Sequence, residues 1–394
     1  MAVAIKGSYQ VDGILNEGLH FAASYLEKVL NRSIFITDQN GLIHYPNSDQ
    51  LFVQYENIVI SIPFHLINAD YYFDKADSTL YYPVIHNNII IAYVIIKNLS
   101  ANMIQKAIDI LAEANLTIKY YFSSLKKTQQ NTLKIQNQLI DYLFYPDGQD
   151  INDIIKQSGK SFNTELPFLV AVIEVGNIIK EDNQRKLYTC SNEFLLRNIT
   201  DSFQLAFSDF LILIIADHTQ TNGHDSSLNH SLLLRHKEAL DNIFKTSFSQ
   251  GIGTSYPLSH IKKSFHEAMI AYILPSLMGQ EHYSQHFSQL GVFTHIFKQD
   301  LKLLNDYCLT TLGPLIDYDK TNNSCLLDTL RQLLDHSFSY KKVAQNLYIH
   351  INTLYYRINK IQELLGMDIS LMPNRVDLYI CVKVLDTIAL LHHY

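Results

Sequence analysis

Tryptophan is absent from the 394 residues, and nothing about function follows from that. Cysteine occurs four times, as Cys190, Cys308, Cys325 and Cys381, with no Cys-x-x-Cys pair. That scatter gives neither a zinc knuckle nor a disulfide framework, and it suits a reducing cytoplasm. Long apolar runs are missing too. The longest, residues 89–96 and 210–216, fall far short of the ~20 residues a membrane helix needs and read as buried strands. No membrane partner is expected. Residues 1–13 lack a basic segment followed by an apolar one, so no signal peptide is expected either. Charged residues make up only 18%, against 47% hydrophobic, which favours packed cores over disorder. The net charge of -7 excludes a protein that coats nucleic acid over its whole surface. A small basic module within an acidic chain remains allowed, because binding follows local charge.

The motifs of common chemistries are also lacking. No Gly-x-Ser-x-Gly elbow occurs. Gly251-x-Gly253 has neither the third glycine of a dinucleotide loop nor a following Lys-Ser/Thr, and reads as a strand-to-helix turn. His266-Glu267 is followed by Ile270 where a zincin needs its second histidine. His282 and His286 stand four apart, a spacing that could put both on one helix face, but no third ligand is nearby. They read as surface or packing histidines. His218, His224, His230 and His236 are expected to be solvated. The sequence therefore assigns no catalytic residue, no metal and no cofactor.

What is there divides into segments. Residues 1–100 alternate helix and strand. Residues 13–30 have helical spacing, residues 34–38 form a strand, and Gln39-Asn40-Gly41 is a hairpin-type turn returning through residues 42–45. A second hairpin turns at Asn87-Asn88. Asp38 is either a ligand contact or, more commonly for its type, a turn-capping carboxylate. This pattern resembles small sensor domains of the PAS or GAF type. Tyr45, Tyr55, His65, Tyr71, Tyr72, Tyr81, Tyr82 and His86 could line a ligand cavity or form an ordinary tyrosine-rich core.

Residues 101–143 contain neither glycine nor proline. A seam with alternating steps of four and three runs from Ile104 through Ile108, Leu111, Asn115, Ile118, Phe122, Leu125, Gln129, Thr132, Gln136 and Leu139 to Leu143. Such a period suits a two-stranded coiled coil, or a long helix packed on its own domain. Pro146-Asp147-Gly148 then marks a boundary. Residues 150–290 alternate strands (168–173, 203–207, 210–215) with helices (191–199, 231–244, and 260–274 ending at Pro275). Residues 291–394 are helical in pattern, ending in a helix over 375–391.

The sharpest signal lies between Ser337 and Gly366. A short helix over 340–347 carries Val343, Ala344 and Leu347 inward, and small Ala344 lets a second helix cross closely. After Tyr348-Ile349-His350, a helix over 351–365 buries Leu354, Ile358, Ile361 and Leu365. This is the pattern of a helix-turn-helix. On the face left over stand His350, Asn352, Thr353, Tyr356, Arg357 and Lys360, with Lys341 and Lys342 on the first helix. In such a motif the start of the second helix enters the major groove. Asparagine can bond adenine edges, threonine can touch a thymine methyl, and arginine can fork onto guanine or a phosphate. Four basic residues against one acidic between Ser339 and Gly366 give this module +3, opposite in sign to the whole chain. The alternative is an ordinary α-hairpin with a solvated basic face.

These residues resemble the C-terminal helix-turn-helix of the PucR/CdaR group of bacterial transcription regulators. The signature Ala-x-x-Leu, His-x-Asn-Thr-Leu-x-Tyr-Arg and Ile-x-x-Leu-x-Gly falls on Ala344 and Leu347, then His350, Asn352, Thr353, Leu354, Tyr356 and Arg357, then Ile361, Leu364 and Gly366. A following Arg and apolar helix match Arg375, Leu378 and Ile380. Ile351 departs from the arginine usual after the histidine. Gly251-Ile252-Gly253, Ser264-Phe265-x-Glu267-Ala268 and Leu290-Gly291 resemble the degenerate GGDEF-like domain that these regulators carry. Its hairpin turn would be Ser208-Asp209-Phe210, without the glycines and carboxylate pair that metal-dependent phosphoryl chemistry needs.

The fold expected is multidomain α/β plus α. A PAS/GAF-like sensor (1–100) is followed by a linker or dimerisation helix (101–145), a degenerate GGDEF-like domain (146–290) and a helical helix-turn-helix domain (291–394). The resemblance implies a cytoplasmic regulator, not an enzyme, activating a metabolic operon. Its expected partners are operator DNA, a small-molecule effector of unknown identity, and further copies in a homodimer or higher homo-oligomer. The alternatives are a DNA-independent protein-binding adaptor or a nucleotide cyclase-like enzyme.

Overall fold

The computed structural model describes residues 18–46, 59–63, 70–145, 150–158, 163–176, 181–199, 201–218 and 227–392. It divides into two compact units, Met1–Lys134 and Ile135–Tyr394.

The first unit is built on one antiparallel sheet. Its strands are β1 (Ile34–Asp38), β2 (Ile43–Tyr45), β3 (Tyr72–Asp74), β4 (Thr79–His86) and β5 (Ile89–Ile96), in the order β2-β1-β5-β4-β3. The β4–β5 hairpin turns where expected, with Asn87 and Asn88 both at positive φ (48° and 61°), the twist a two-residue hairpin needs. Asp38 caps its turn: Oδ1 accepts from the Asn40 and Leu42 amides at 2.8 and 2.9 Å. Helix α1 (Leu19–Leu30) and the first part of α2 (Ile104–Phe144) contribute to a core with one face of this sheet through Leu26, Leu111, Ala114 and Ile118.

The tyrosines proposed for a sensor cavity do not share one face. Tyr82 packs against the helix-side core, and Tyr45 lies within it, bonding Glu27 at 2.8 Å. Tyr72 and Tyr81 pair across the opposite face, while Tyr71 and His86 are exposed. Period-two alternation separates neighbours that sequence proximity seemed to gather. Tyr55 and His65 lie outside the described residues.

The seam drawn along α2 is largely spent within the chain. Leu111, Ile118 and Phe122 pack in the first unit's core, and Leu139 and Leu143 in the second's. Between Phe122 and Ile135 α2 buries none of its described side chains. These residues of the seam therefore pack on the chain's own cores. Pro146-Asp147-Gly148 lies outside the described residues.

The second unit contains a sheet of β6 (Pro167–Glu174), β7 (Ser202–Phe207), β8 (Phe210–Ala216), β9 (Gln250–Ile252), β10 (Tyr256–Pro257) and β11 (Ser284–His286). The main order is β11-β9-β6-β8-β7, with β10 beside β6. Strands β6 and β8 run antiparallel from Phe168 opposite Ala216 to Glu174 opposite Phe210. Their uninterrupted apolar runs reflect burial on both faces. One face belongs with α4 (Glu181–Asn198) and α5 (Ser227–Phe244). The other belongs with α3 (Ile151–Gln157), the end of α2, and α6 (Ile261–Leu277).

Helix α6 is buried almost all round from Ser264 to Pro275. Ala268, Met269 and Tyr272 contribute to the sheet core, whereas Ile270, Ala271 and Leu274 belong to the core of the helices that follow. A helix that is apolar on every side must be sandwiched. Pro275 does not stop it as expected; the helix runs on to Leu277. Gly251 and Gly253 prove to be close-packing points. A Cβ on either would come within 2.1 Å of a backbone oxygen, of Ala268 and Ser264 respectively.

The remaining helices are α7 (Val292–Ile296), α8 (Leu301–Asn322), α9 (Leu326–Asp335), α10 (Tyr340–Asn346), α11 (Ile351–Leu365) and α12 (Met372–Leu391). One expectation for histidine changes, and one spacing possibility closes. His282 sits in a turn at φ 58° and His286 in β11, so they share no helix face. His236 is buried rather than solvated, with Nε2 2.9 Å from Ser191 Oγ. Its place on the apolar stripe with Leu233 and Leu240 explains why. His224 lies outside the described residues.

Two outcomes follow. Gly253→Ala should destabilise the protein by about 1–3 kcal/mol or more, read from the denaturation midpoint, because the obstructing atom is backbone. Burial lowers the His236 pKa to about 4 from 6.5. The unfolded chain therefore takes up this proton first, and stability should fall as pH drops from about 6.5 towards 4, by on the order of 3 kcal/mol at the lower end. In acid titrations of stability, His236→Gln should lose that part of the dependence.

Candidate nucleic-acid interface

Helix α9 is strongly amphipathic, with Leu326, Leu330 and Leu333 buried and Asp328 and Asp335 exposed. Helix α10 follows, burying Val343 and Ala344. Small Ala344 belongs to the same core as Leu354 and Ile358 of α11. The connection is closed by backbone bonds from Tyr348 N to Gln345 O and from Ile349 N to Ala344 O, at 3.1 and 3.0 Å. Tyr348 takes a left-handed conformation (φ 54°) at this corner, and its side chain is 96% exposed.

Helix α11 begins at His350, whose Nδ1 accepts from the Asn352 amide at 3.2 Å. This supplies one of the acceptors that a helix start leaves wanting. Leu354, Ile358 and Ile361 form the buried stripe. Gly366, at φ 64°, ends the helix in the left-handed conformation that glycine adopts freely.

The eight proposed contact residues divide into two sets. Lys341, Lys342, His350, Asn352, Thr353 and Tyr356 are exposed. Arg357 and Lys360 are half-buried and turn back onto the protein. Arg357 Nη1 donates to Thr329 Oγ1 of α9 at 3.1 Å. Lys360 Nζ lies 2.9 Å from Glu363 and 5.2 Å from the centre of the Tyr318 ring on α8. The hydrogen bond to Glu363 raises its pKa above the ordinary lysine value. Helical spacing explains the division. Arg357 stands three residues after Leu354 and four before Ile361, so it flanks the buried stripe. Its charge points to the open face, whereas its angle on the helix points to α9.

Sequence reasoning also missed Thr329, Tyr348 and Tyr355. Tyr355 is half exposed, its ring 5.5 Å from Tyr340. The only signal for Tyr348 was its place in the turn. Thr329 lies upstream of the helix-turn-helix residues, where only a helical pattern was apparent.

Two ionic contacts hold this platform. Arg331 of α9 forks onto Asp386 of α12, with bonds of 2.7, 3.0 and 3.2 Å. Lys383 of α12 is buried, with Nζ 2.8 Å from Asp335 and 2.6 Å from the Leu277 carbonyl at the end of α6. Among the described residues no group of three or more His, Cys, Asp or Glu could hold a metal, and no helix is long and apolar enough to cross a membrane.

A family model for the PucR C-terminal helix-turn-helix domain matches residues 326–384, from the start of α9 into α12. The chain is 24% identical over 303 residues to the proline-responsive transcriptional activator PutR of Bacillus subtilis, covering 75% of this chain and 72% of PutR. It is 21% identical over 282 residues to the DNA-binding transcriptional activator AdeR of the same organism, covering 69% of this chain and 63% of AdeR. It is 37% identical over 62 residues to the carbohydrate diacid regulator of Escherichia coli, covering 16% of each chain. The match thus spans less than two thirds of AdeR and only a small part of the diacid regulator.

Proposed function

We propose that this chain, a DNA-binding transcription regulator of the PucR/CdaR type, reads operator DNA with the start of α11 and activates a metabolic operon in response to a small-molecule effector. The observation that carries the DNA-facing reading is the open polar face. Asn352 and Thr353 are exposed, and their side chains make no hydrogen bond among the described residues. Lys341 and Lys342 stand exposed on the neighbouring helix, able to meet phosphates on either side of a groove. Activation is the role named for PutR and AdeR, and it supports the same role here.

On this reading residues 1–100 form a sensor of the PAS or GAF type, and 101–145 link it onward. Residues 146–290 form a degenerate GGDEF-like domain, and 291–394 bind DNA. The five-stranded antiparallel sheet with helices on one face supports a sensor. The order β11-β9-β6-β8-β7 and the β7–β8 hairpin support the GGDEF-like reading. At its tip Ser208 and Asp209 replace the glycine-rich turn of active cyclases, which supports a signalling role over catalysis. The protein acts in the cytoplasm as a homodimer or higher homo-oligomer, each copy taking one half-site.

Purified protein should bind DNA from upstream of its own gene, with affinity falling steeply as salt rises. Asn352→Ala should weaken that binding by about 1–3 kcal/mol and relax discrimination at one base pair. Lys342→Ala should weaken binding evenly across sequences and flatten the salt slope by about one unit. Unchanged affinity in both variants would contradict this use of the two helices.

A further inference from the structure

We infer that Arg357 is a positioning residue that sets the recognition helix against α9, and that the core of each half-site is therefore read as A·T pairs, by Asn352 and Thr353. The inference rests on the DNA-binding reading above and adds which bases are read and which basic residue does not read them.

The geometry begins at Thr329, which is fully buried on α9. Its hydroxyl donates to the Cys325 carbonyl at 2.7 Å, so its proton is committed. Only lone pairs remain, and only a donor can approach them. Arg357 Nη1 is that donor, at 3.1 Å, reaching across from α11. Thr329 in turn sits on a helix that cannot readily shift, because Arg331 holds Asp386 bidentately and Asp335 receives the buried Lys383. The contact therefore fixes the rotation and tilt of α11 at its middle, one turn beyond Asn352 and Thr353.

The chemistry left facing outward is selective. Guanine is most often read by a bidentate arginine or lysine. On α11 both such residues are engaged with the protein's own groups, Arg357 with the buried Thr329 and Lys360 with Glu363 in an ion pair at the surface. What remains at the start of the helix is the His350 imidazole, which spends Nδ1 on the Asn352 backbone N–H, together with the Asn352 side-chain amide, the Thr353 methyl and the 66% exposed ring of Tyr356. An amide pairs with the N6 and N7 edge of adenine, and a methyl packs on the thymine methyl. Positive charge directed at phosphate comes from Lys341 and Lys342 on α10.

The test uses the full chain and a random duplex library. Wild type should enrich sites whose half-site core is adenine and thymine. Arg357→Gln and the near-isosteric Thr329→Val should each bind the enriched duplex about tenfold more weakly. The double variant should be no weaker than the worse single one, because both remove one contact. Both variants should enrich the same core as wild type, and the slope of log affinity against log salt should not change. A defect in folding alone would lower the melting temperature and the active fraction while leaving affinity per active molecule intact, and that result would overturn the inference. So would a guanine enriched by wild type and lost in Arg357→Gln, or a salt slope flattened by about 0.9, the mark of a lost phosphate contact. Normal affinity in Thr329→Val beside a weakened Arg357→Gln would overturn it too. If wild type enriches no sequence at any salt, the DNA-binding reading itself fails, an outcome separate from all of these.

Discussion

Helix α11 is held by a helix that carries none of the residues proposed to face DNA. Helix α9 places Leu330 and Leu333 in the core of the helical region and holds α12 by the Arg331–Asp386 fork and by Asp335 on Lys383. Partly buried arginine–carboxylate forks are geometrically strict. A buried lysine is costly unless fully engaged, and Lys383 has a carboxylate and a carbonyl. With α9 so fixed, the Thr329–Arg357 contact and the Leu354–Ile358–Ile361 stripe leave α11 little freedom to rotate. The open face of α11 is then whatever those contacts do not use.

The same helix set connects the helix-turn-helix to the α/β part of the second unit. Helix α6 belongs to both cores, and the carbonyl of its last residue, Leu277, accepts from Lys383 Nζ. Gly251 and Gly253 let β9 lie directly against α6. A shift of α6 relative to the sheet would therefore reach α12 and α9 through packed side chains rather than through a flexible joint. Packed interfaces of this kind switch between discrete arrangements. That property suits the proposed transmission of an effector signal, in which the two arrangements would differ in the pose of α11.

Much of this was legible in the sequence wherever one physical rule dominated. The Asn-rich hairpin turn, the apolar runs of β6 and β8, and the Ala344 crossing followed from backbone sterics and burial period. Errors came where two rules competed. The period along α2 fits a coiled coil and packing on its own cores alike, so the spacing alone left both open. Helix α4 begins ten residues before the apolar signal at 191, because residues 181–186 are polar on every face. His236 was read as solvated from its polar neighbourhood, although it follows Leu233 by three and precedes Leu240 by four. In the interface, residue type was legible and direction was not. Arginine suggested DNA, while its angle beside Leu354 took it to Thr329 instead.

The central claim is that the start of α11 is the surface that meets DNA. A photoreactive amino acid at Tyr356, compared with one at Leu303 of α8, tests it most directly, because both positions are exposed, at 66% and 68%. Irradiation of each protein with its bound duplex should cross-link position 356 to bases within the half-site and leave position 303 unlinked. Cross-linking from 303 with none from 356 would contradict the account.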